Sequence, residues 1–411
     1  MEKYIVLYPD TFLWFNEKHG VFYNCELHTF MHFECTSILL KYCNWIKDIN
    51  NMYVVEIEKI DEYNSVFCNW IKLIVDNHIG EVKAVSNRRR PISIPPILNL
   101  QHEIEAECKD ELRFQSTNTA NNLQEITFFI GGEKIALKEE DYYKQVLYPI
   151  NSRSCLGFND ILSFLDNNNI NFLRQINLVR GHFSDYHNYD VLIEKISQYH
   201  IPITLYLLGN DDVFLEKILD FSSQKEILLE LYFVDCESFI KATKLLANST
   251  VNYRWLFLIK DKIALDNALQ IVQTYRIRNY RLLPIIIKER SNIKFLKDYV
   301  YTSYEELSHI KLDKRGVFCN QTINSNYWGR LFIMPDGNIF TNINGCCQGD
   351  VTEDVMLIIQ KEIENKESYW KYTRRNVTPC KDCIFSSLCP PLSNYEFYLK
   401  KFDLCTIKEQ K

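Results

Sequence analysis

Apolar residues in this chain recur at three different spacings, and each spacing marks off a different stretch. In residues 1–85 the runs YIVLYPDTFLWF and GVFYNCELHTFMHF are dense in aromatic and β-branched side chains. The polar NEKHG separates them, a pattern that predicts a hairpin. SILLKYCNWIKDI and YNSVFCNWIKLIVDNHI then repeat apolar positions at helical spacing. Between them MYVVEIEKI reads either as a short strand or as part of a longer helix. The expectation is a small α+β module with Trp14, Trp45 and Trp70 in its core. VSNRRRPISIPP, with the basic run Arg88-Arg89-Arg90 and three prolines, is the linker that ends it.

From 92 to 305 the pattern becomes strand–helix alternation. The predicted strands are ISIPPILNL (92–100), LQEITFFIG (123–131), FLRQINLVR (172–180), PITLYLLG (202–209), EILLELYFV (226–234), YRWLFLI (253–259) and YRLLPIII (280–287). Amphipathic stretches such as YDVLIEKISQYH and CESFIKATKLLAN lie between most of them. Near-continuous apolar strands joined by helices imply a buried parallel sheet. Six or seven such units give an α/β fold, a partial (β/α) barrel whose ligands sit at the C-terminal strand ends. Neither a phosphate-binding loop nor a dinucleotide fingerprint occurs. RGHFSDYHNYD (180–190) gathers His182, Asp185, His187 and Asp190 after a strand, and reads as a solvated loop.

Residues 310–411 are short-stranded and rich in cysteine. GRLFIMPDGNIFTNING is a hairpin turning at Pro335-Asp336-Gly337-Asn338, where glycine supplies a positive φ. A helical stretch, VMLIIQKEIENKESYWKYTRR, leads into PCKDCIFSSLCPPLSNYEFYLKKFDLC. There Cys380, Cys383, Cys389 and Cys405 fall within 26 residues. Four soft thiolates suit tetrahedral zinc or a four-iron cluster, and the spacing alone leaves the two open.

Composition narrows the setting. The chain has a net charge of −6, which gives no electrostatic footprint for nucleic acid. No window reaches the ~20 apolar residues that span a bilayer, and the start lacks a signal-peptide pattern. A cytoplasmic protein without a membrane partner is expected. In that compartment the 14 cysteines are reduced, so a cluster of them points to metal rather than disulfides.

Cys319, the hairpin IMPDGNIF and the run CxxCxxxxxC together resemble the SPASM domain of radical S-adenosylmethionine enzymes that modify peptides. The resemblance implies that Cys380, Cys383, Cys389 and Cys405 ligate an auxiliary [4Fe-4S] cluster. A second auxiliary cluster is not implied. Its Cys319 is present, but Asn342 and Ser393 stand at two other ligand positions, and Cys346 and Cys347 read as free thiols. The catalytic CxxxCxxC of that family is absent from the whole chain; the corresponding segment LNLQHEIEAEC carries Cys108 alone. After the second predicted strand, Gly131, Gly132 and Glu133 resemble the cofactor-contacting GGEP motif, with Lys134 in place of its proline. An ordinary two-glycine turn explains them equally well. The N-terminal module, hairpin before helices, is similar in element order to winged-helix peptide-recognition modules.

These features imply a pseudo-radical-SAM protein of the type found in Bacteroidales peptide natural-product systems. Its expected role is that of a non-catalytic accessory protein, with no catalytic residue and no cleavage of S-adenosylmethionine. Its expected partners are a precursor peptide, a radical SAM maturase, or both. One [4Fe-4S] cluster is expected, with zinc as the alternative. Two other functions stay open: electron transfer to a maturase through the cluster, and an enzyme of another kind at the barrel mouth around Glu133, His182 and Asp185.

Overall fold

Pro9-Asp10 cuts the first apolar run in two, and the halves enter different sheets. A computed structural model describes residues 2–86, 89–96, 122–132, 141–168, 172–221, 227–247, 249–287, 290–365 and 367–407. β1 (Glu2–Leu7) is the centre of one antiparallel sheet. β2 (Thr11–Phe15), β3 (His19–Asn24) and β4 (Thr29–Glu34) form a second, a meander. Asn16 turns β2 into β3 by accepting the Lys18 and His19 amides, both at 2.9 Å. Asn24 turns β3 into β4 in the same way, through Glu26 and Leu27 at 3.0 Å. α1 (Ser37–Lys47) and α2 (Ser65–Asp76) bury Tyr42, Phe67 and Trp70 against Phe22. β5 (Val54–Glu56) and β6 (Gly80–Val85) flank β1, so MYVVEIEKI is a strand.

Six parallel strands follow: β7 (Glu125–Phe129), β8 (Gln175–Val179), β9 (Ile203–Leu208), β10 (Ile227–Tyr232), β11 (Asn252–Ile259) and β12 (Tyr280–Pro284). Helices α3 (Phe158–Asn167), α4 (Tyr189–Ser197), α5 (Asp212–Lys217), α6 (Cys236–Leu246), α7 (Lys262–Thr274) and α8 (Ile293–Tyr299) accompany them. Alternate strand residues pack against the helices: Phe128, Leu178, Leu205, Leu231 and Trp255 share a core with Phe164, Ile193 and Phe239. The other face carries polar side chains. Asn177 donates to Glu125 at 2.7 Å and to Thr127 at 3.0 Å, and buried Glu230 accepts from Arg254 Nε at 3.0 and 3.1 Å. The result is an α/β architecture built on a partial (β/α) barrel.

One predicted strand is corrected. Residues 92–96 make no ladder, because Pro91, Pro95 and Pro96 have no N–H to donate; residues 97–100 lie outside the described residues. The edge beside β7 is taken instead by β13 (Arg330–Ile333), parallel to it, with Leu331 opposite Ile126. β14 (Asn338–Phe340) and β15 (Gly349–Asp350) continue the sheet to nine strands. The cysteine-rich region thereby becomes part of the barrel sheet. It completes itself with α9 (Tyr304–Ser308), α10 (Lys314–Thr322), α11 (Val355–Glu364) and α12 (Asn394–Leu399).

The meander lies over this region. Phe12, Val21 and Tyr23 share a core with Ile384, Phe385, Leu388 and Cys389. Tyr23 Oη donates to the Leu312 carbonyl at 2.8 Å and accepts the Leu312 amide at 2.7 Å. Among the described residues, no helix is long and apolar enough to cross a membrane.

Candidate metal centre

The first cysteine pair sits on a single turn. A short 3-10 helix, Cys380–Asp382, closes with the Cys383 amide on the Cys380 carbonyl at 3.0 Å. The chain then drives Ile384, Phe385 and Leu388 into the core beneath the meander. The Cys389 amide returns to the Phe385 carbonyl at 3.0 Å. Asn320 of α10 holds this loop by donating to the carbonyls of Ser387 and Cys389, both at 3.2 Å.

Cys380, Cys383, Cys389 and Cys405 all line one cavity of about 140 Å³. Cys380 and Cys389 are buried, and Cys383 and Cys405 are half-buried. Burial pushes the Cys389 thiol far up, opposed by the Arg374 guanidinium. Burial also raises Cys380, again opposed by Arg374, whose Nη1 lies 3.7 Å from its sulfur. Arg374 bonds Glu396 at 2.9 and 3.4 Å and donates Nε to the Pro390 carbonyl. One guanidinium thus ties together the two ends of the loop that runs from Cys380 to Cys389.

Among the described residues no three His, Cys, Asp or Glu side chains stand close enough to hold one metal ion. Sulfurs on a tetrahedral zinc lie about 3.8 Å apart, given Zn–S of ~2.3 Å. A four-iron cube keeps its cysteine sulfurs further apart, and four thiols lining one cavity supply the soft donors that either group takes. A buried cation beside the thiols suits the cube's net negative charge. Tyr301 lines the same cavity, and its hydroxyl is buried with no partner.

The other cysteines stand apart from this cavity. Cys319 is half-buried on α10, and Cys346 and Cys347 are exposed. Ser393, where the resembled family carries a further thiolate, is the N-cap of α12. It accepts the Glu396 amide while Glu396 accepts its own amide at 2.9 Å.

The Gly131-Gly132 turn follows β7, with φ of 69° and 67°. Arg180, 1% exposed, donates to the carbonyls of Gly131, Gly132 and His182 and lies over the Tyr186 ring at 5.2 Å. Pro335 of the β13–β14 hairpin presses on Gly131 from the other side. Glu133, Lys134 and Cys108 lie outside the described residues. The loop after β8 is not uniformly solvated as expected. His187 is exposed, but His182 is buried, with Nε2 3.1 Å from Asn210 Oδ1.

A second cavity, about 500 Å³, opens at the C-terminal ends of β9–β11. Leu208, Tyr232, Leu258 and Lys260 line it with Tyr142 and Tyr148, and Lys260 Nζ is 5.5 Å from the Tyr142 ring centre. The segment DYYKQVLY that supplies the two tyrosines shows no periodicity. Its aromatic density is the one signal that marks it in the sequence.

No family model matches the chain, and no curated protein matches it. Solved structures similar to it include native anSMEcpe with bound AdoMet and Cp18Cys peptide, at 12% identity and a TM-score of 0.41, covering 67% of this chain and 96% of that one. A hexahistidine-tagged form of anSMEcpe with bound AdoMet is similar at 12% identity and a TM-score of 0.42, covering 68% and 96%. Methylornithine synthase (PylB) is similar at 11% identity and a TM-score of 0.33, covering 74% and 93%.

Proposed function

We propose that this chain is a non-catalytic, radical-SAM-like accessory protein of peptide natural-product maturation. It holds one [4Fe-4S] cluster on Cys380, Cys383, Cys389 and Cys405, and binds a precursor peptide, a partner maturase, or both. The observation that carries the reading is the gathering of those four thiols at one cavity in a chain with no CxxxCxxC. Bound there, a cluster supplies a one-electron centre and a cross-link between the loop carrying Cys380–Cys389 and the segment carrying Cys405. Metal ligation of this kind contributes folding free energy of about 10 kcal/mol or more to a small lobe.

Two further observations support the non-catalytic part. The turn that resembles a cofactor-contacting motif is filled by the chain itself, Arg180 on one side and Pro335 on the other. The sheet edge beside β7, next to that turn, is closed by β13. The peptide part is supported by β6, an edge strand among the described residues with exposed Lys83 and Ala84, a place where an extended chain can add to a sheet.

The test is to incubate the anaerobically purified chain with S-adenosylmethionine and dithionite. No 5′-deoxyadenosine is expected. Its formation above a no-protein control overturns the non-catalytic reading.

A further inference from the structure

Tyr301 follows α8 and is held by a small core that includes Ile286, Leu296, Leu399 and Tyr395. Tyr301 lines the cavity of the four cysteines, and its hydroxyl is buried and meets no hydrogen-bonding atom of the chain. Buried hydroxyls are almost always paired, and leaving one unpaired costs about 1–3 kcal/mol. The charged groups at this cavity are already engaged. Arg374 is committed to Glu396 and Pro390, and Glu396 to Arg374 and Ser393. Burial pushes the Tyr301 phenol well above its ordinary value, which keeps the group protonated and therefore a donor. A buried, unpaired donor on a residue that lines the cysteine cavity lacks an acceptor, and metal-bound sulfur is one.

Resting on the metal-centre reading above, we propose that Tyr301 donates a hydrogen bond to a sulfur of that centre and so sets its redox potential. Hydrogen bonds to sulfur favour the more negative, reduced cluster. Arg374 acts in the same direction by charge, through its contact with Cys380.

The decisive variant is Tyr301→Phe, which removes the oxygen and nothing else. In the iron-loaded chain the ratio of reduced to oxidised cluster at a fixed potential should fall about fivefold, a shift of ~40 mV to more negative values at 59 mV per tenfold. In the metal-free chain the variant should be as stable as the parent or slightly more so, because the hydroxyl has no partner to lose. An unchanged potential, or a metal-free variant that melts lower, overturns the proposal. The iron-loaded chain separates this from the underlying reading. If the chain carries zinc, which has no redox couple, the cluster reading and the proposed control of potential both fall; an iron-loaded Tyr301→Phe with an unchanged potential overturns the proposal alone. If the parent binds no metal at all, both fall.

Discussion

A Cβ placed on Gly131 would sit 2.6 Å from the Cβ of Pro335 and 2.5 Å from the Ser154 carbonyl oxygen. The glycine at the end of β7 is therefore bound to the hairpin that joins the cysteine-rich region to the barrel. Its φ of 69° adds a second demand that only glycine meets without strain. Gly131→Ala should cost about 2–4 kcal/mol, from backbone strain and a clash that backbone atoms cannot relieve. A melting temperature within a degree of the parent would show that the contact is slack.

Tyr23→Phe should loosen the meander from the region beneath it. The phenol oxygen serves both the amide and the carbonyl of Leu312, and phenylalanine leaves both without that partner. A loss of about 1–3 kcal/mol is expected. Hydrogen exchange should rise at residues 304–317 before it rises in the barrel strands; uniform exchange would contradict the assignment.

The polar face of the barrel sheet holds one buried carboxylate, Glu230, fully shielded and bonded by Arg254. Arg254→Met should destabilise by about 3–5 kcal/mol, because it strands a buried charge. Adding Glu230→Leu should recover most of that loss. Strictly additive effects in a double-mutant cycle would refute the coupling.

Burial tends to raise the Asp61 carboxyl, but hydrogen bonds from Lys41 and Tyr42, at 3.0 and 2.8 Å, outweigh it and hold the group below the usual carboxylate value. A depressed folded-state value means stabilisation that is present above the unfolded-state value, about 3.9. It is lost as pH falls through the folded-state value. The gap in stability between the parent and Asp61→Asn should be full near neutrality and shrink below about pH 4. A gap that widens in acid would reverse the sign of the argument.

The barrel strands were legible because each is a continuous apolar run long enough to be buried, as LLELY in β10 and ITLYLL in β9 illustrate. The grouping of the four cysteines was legible because they fall within 26 residues, and the fold brings them to one cavity. What local pattern does not encode is partner choice across long separations. Nothing in RLFI says that β13 pairs with β7 some 200 residues earlier. Arg180 was equally hidden. A lone arginine at a strand end reads as solvated, and only the fold brings three carbonyls around it. Tyr301 was invisible for the same reason, since it lines a cavity with cysteines 79 or more positions away.

Anaerobic purification followed by iron, sulfide and zinc analysis tests the central claim most directly, run on the parent, on Cys389→Ser and on the triple variant Cys319→Ser/Cys346→Ser/Cys347→Ser. The account predicts about four irons and four sulfides per chain in the parent and in the triple variant, and loss of both in Cys389→Ser. One equivalent of zinc, no metal, or iron that depends on Cys319, Cys346 or Cys347 instead of Cys389 would contradict it.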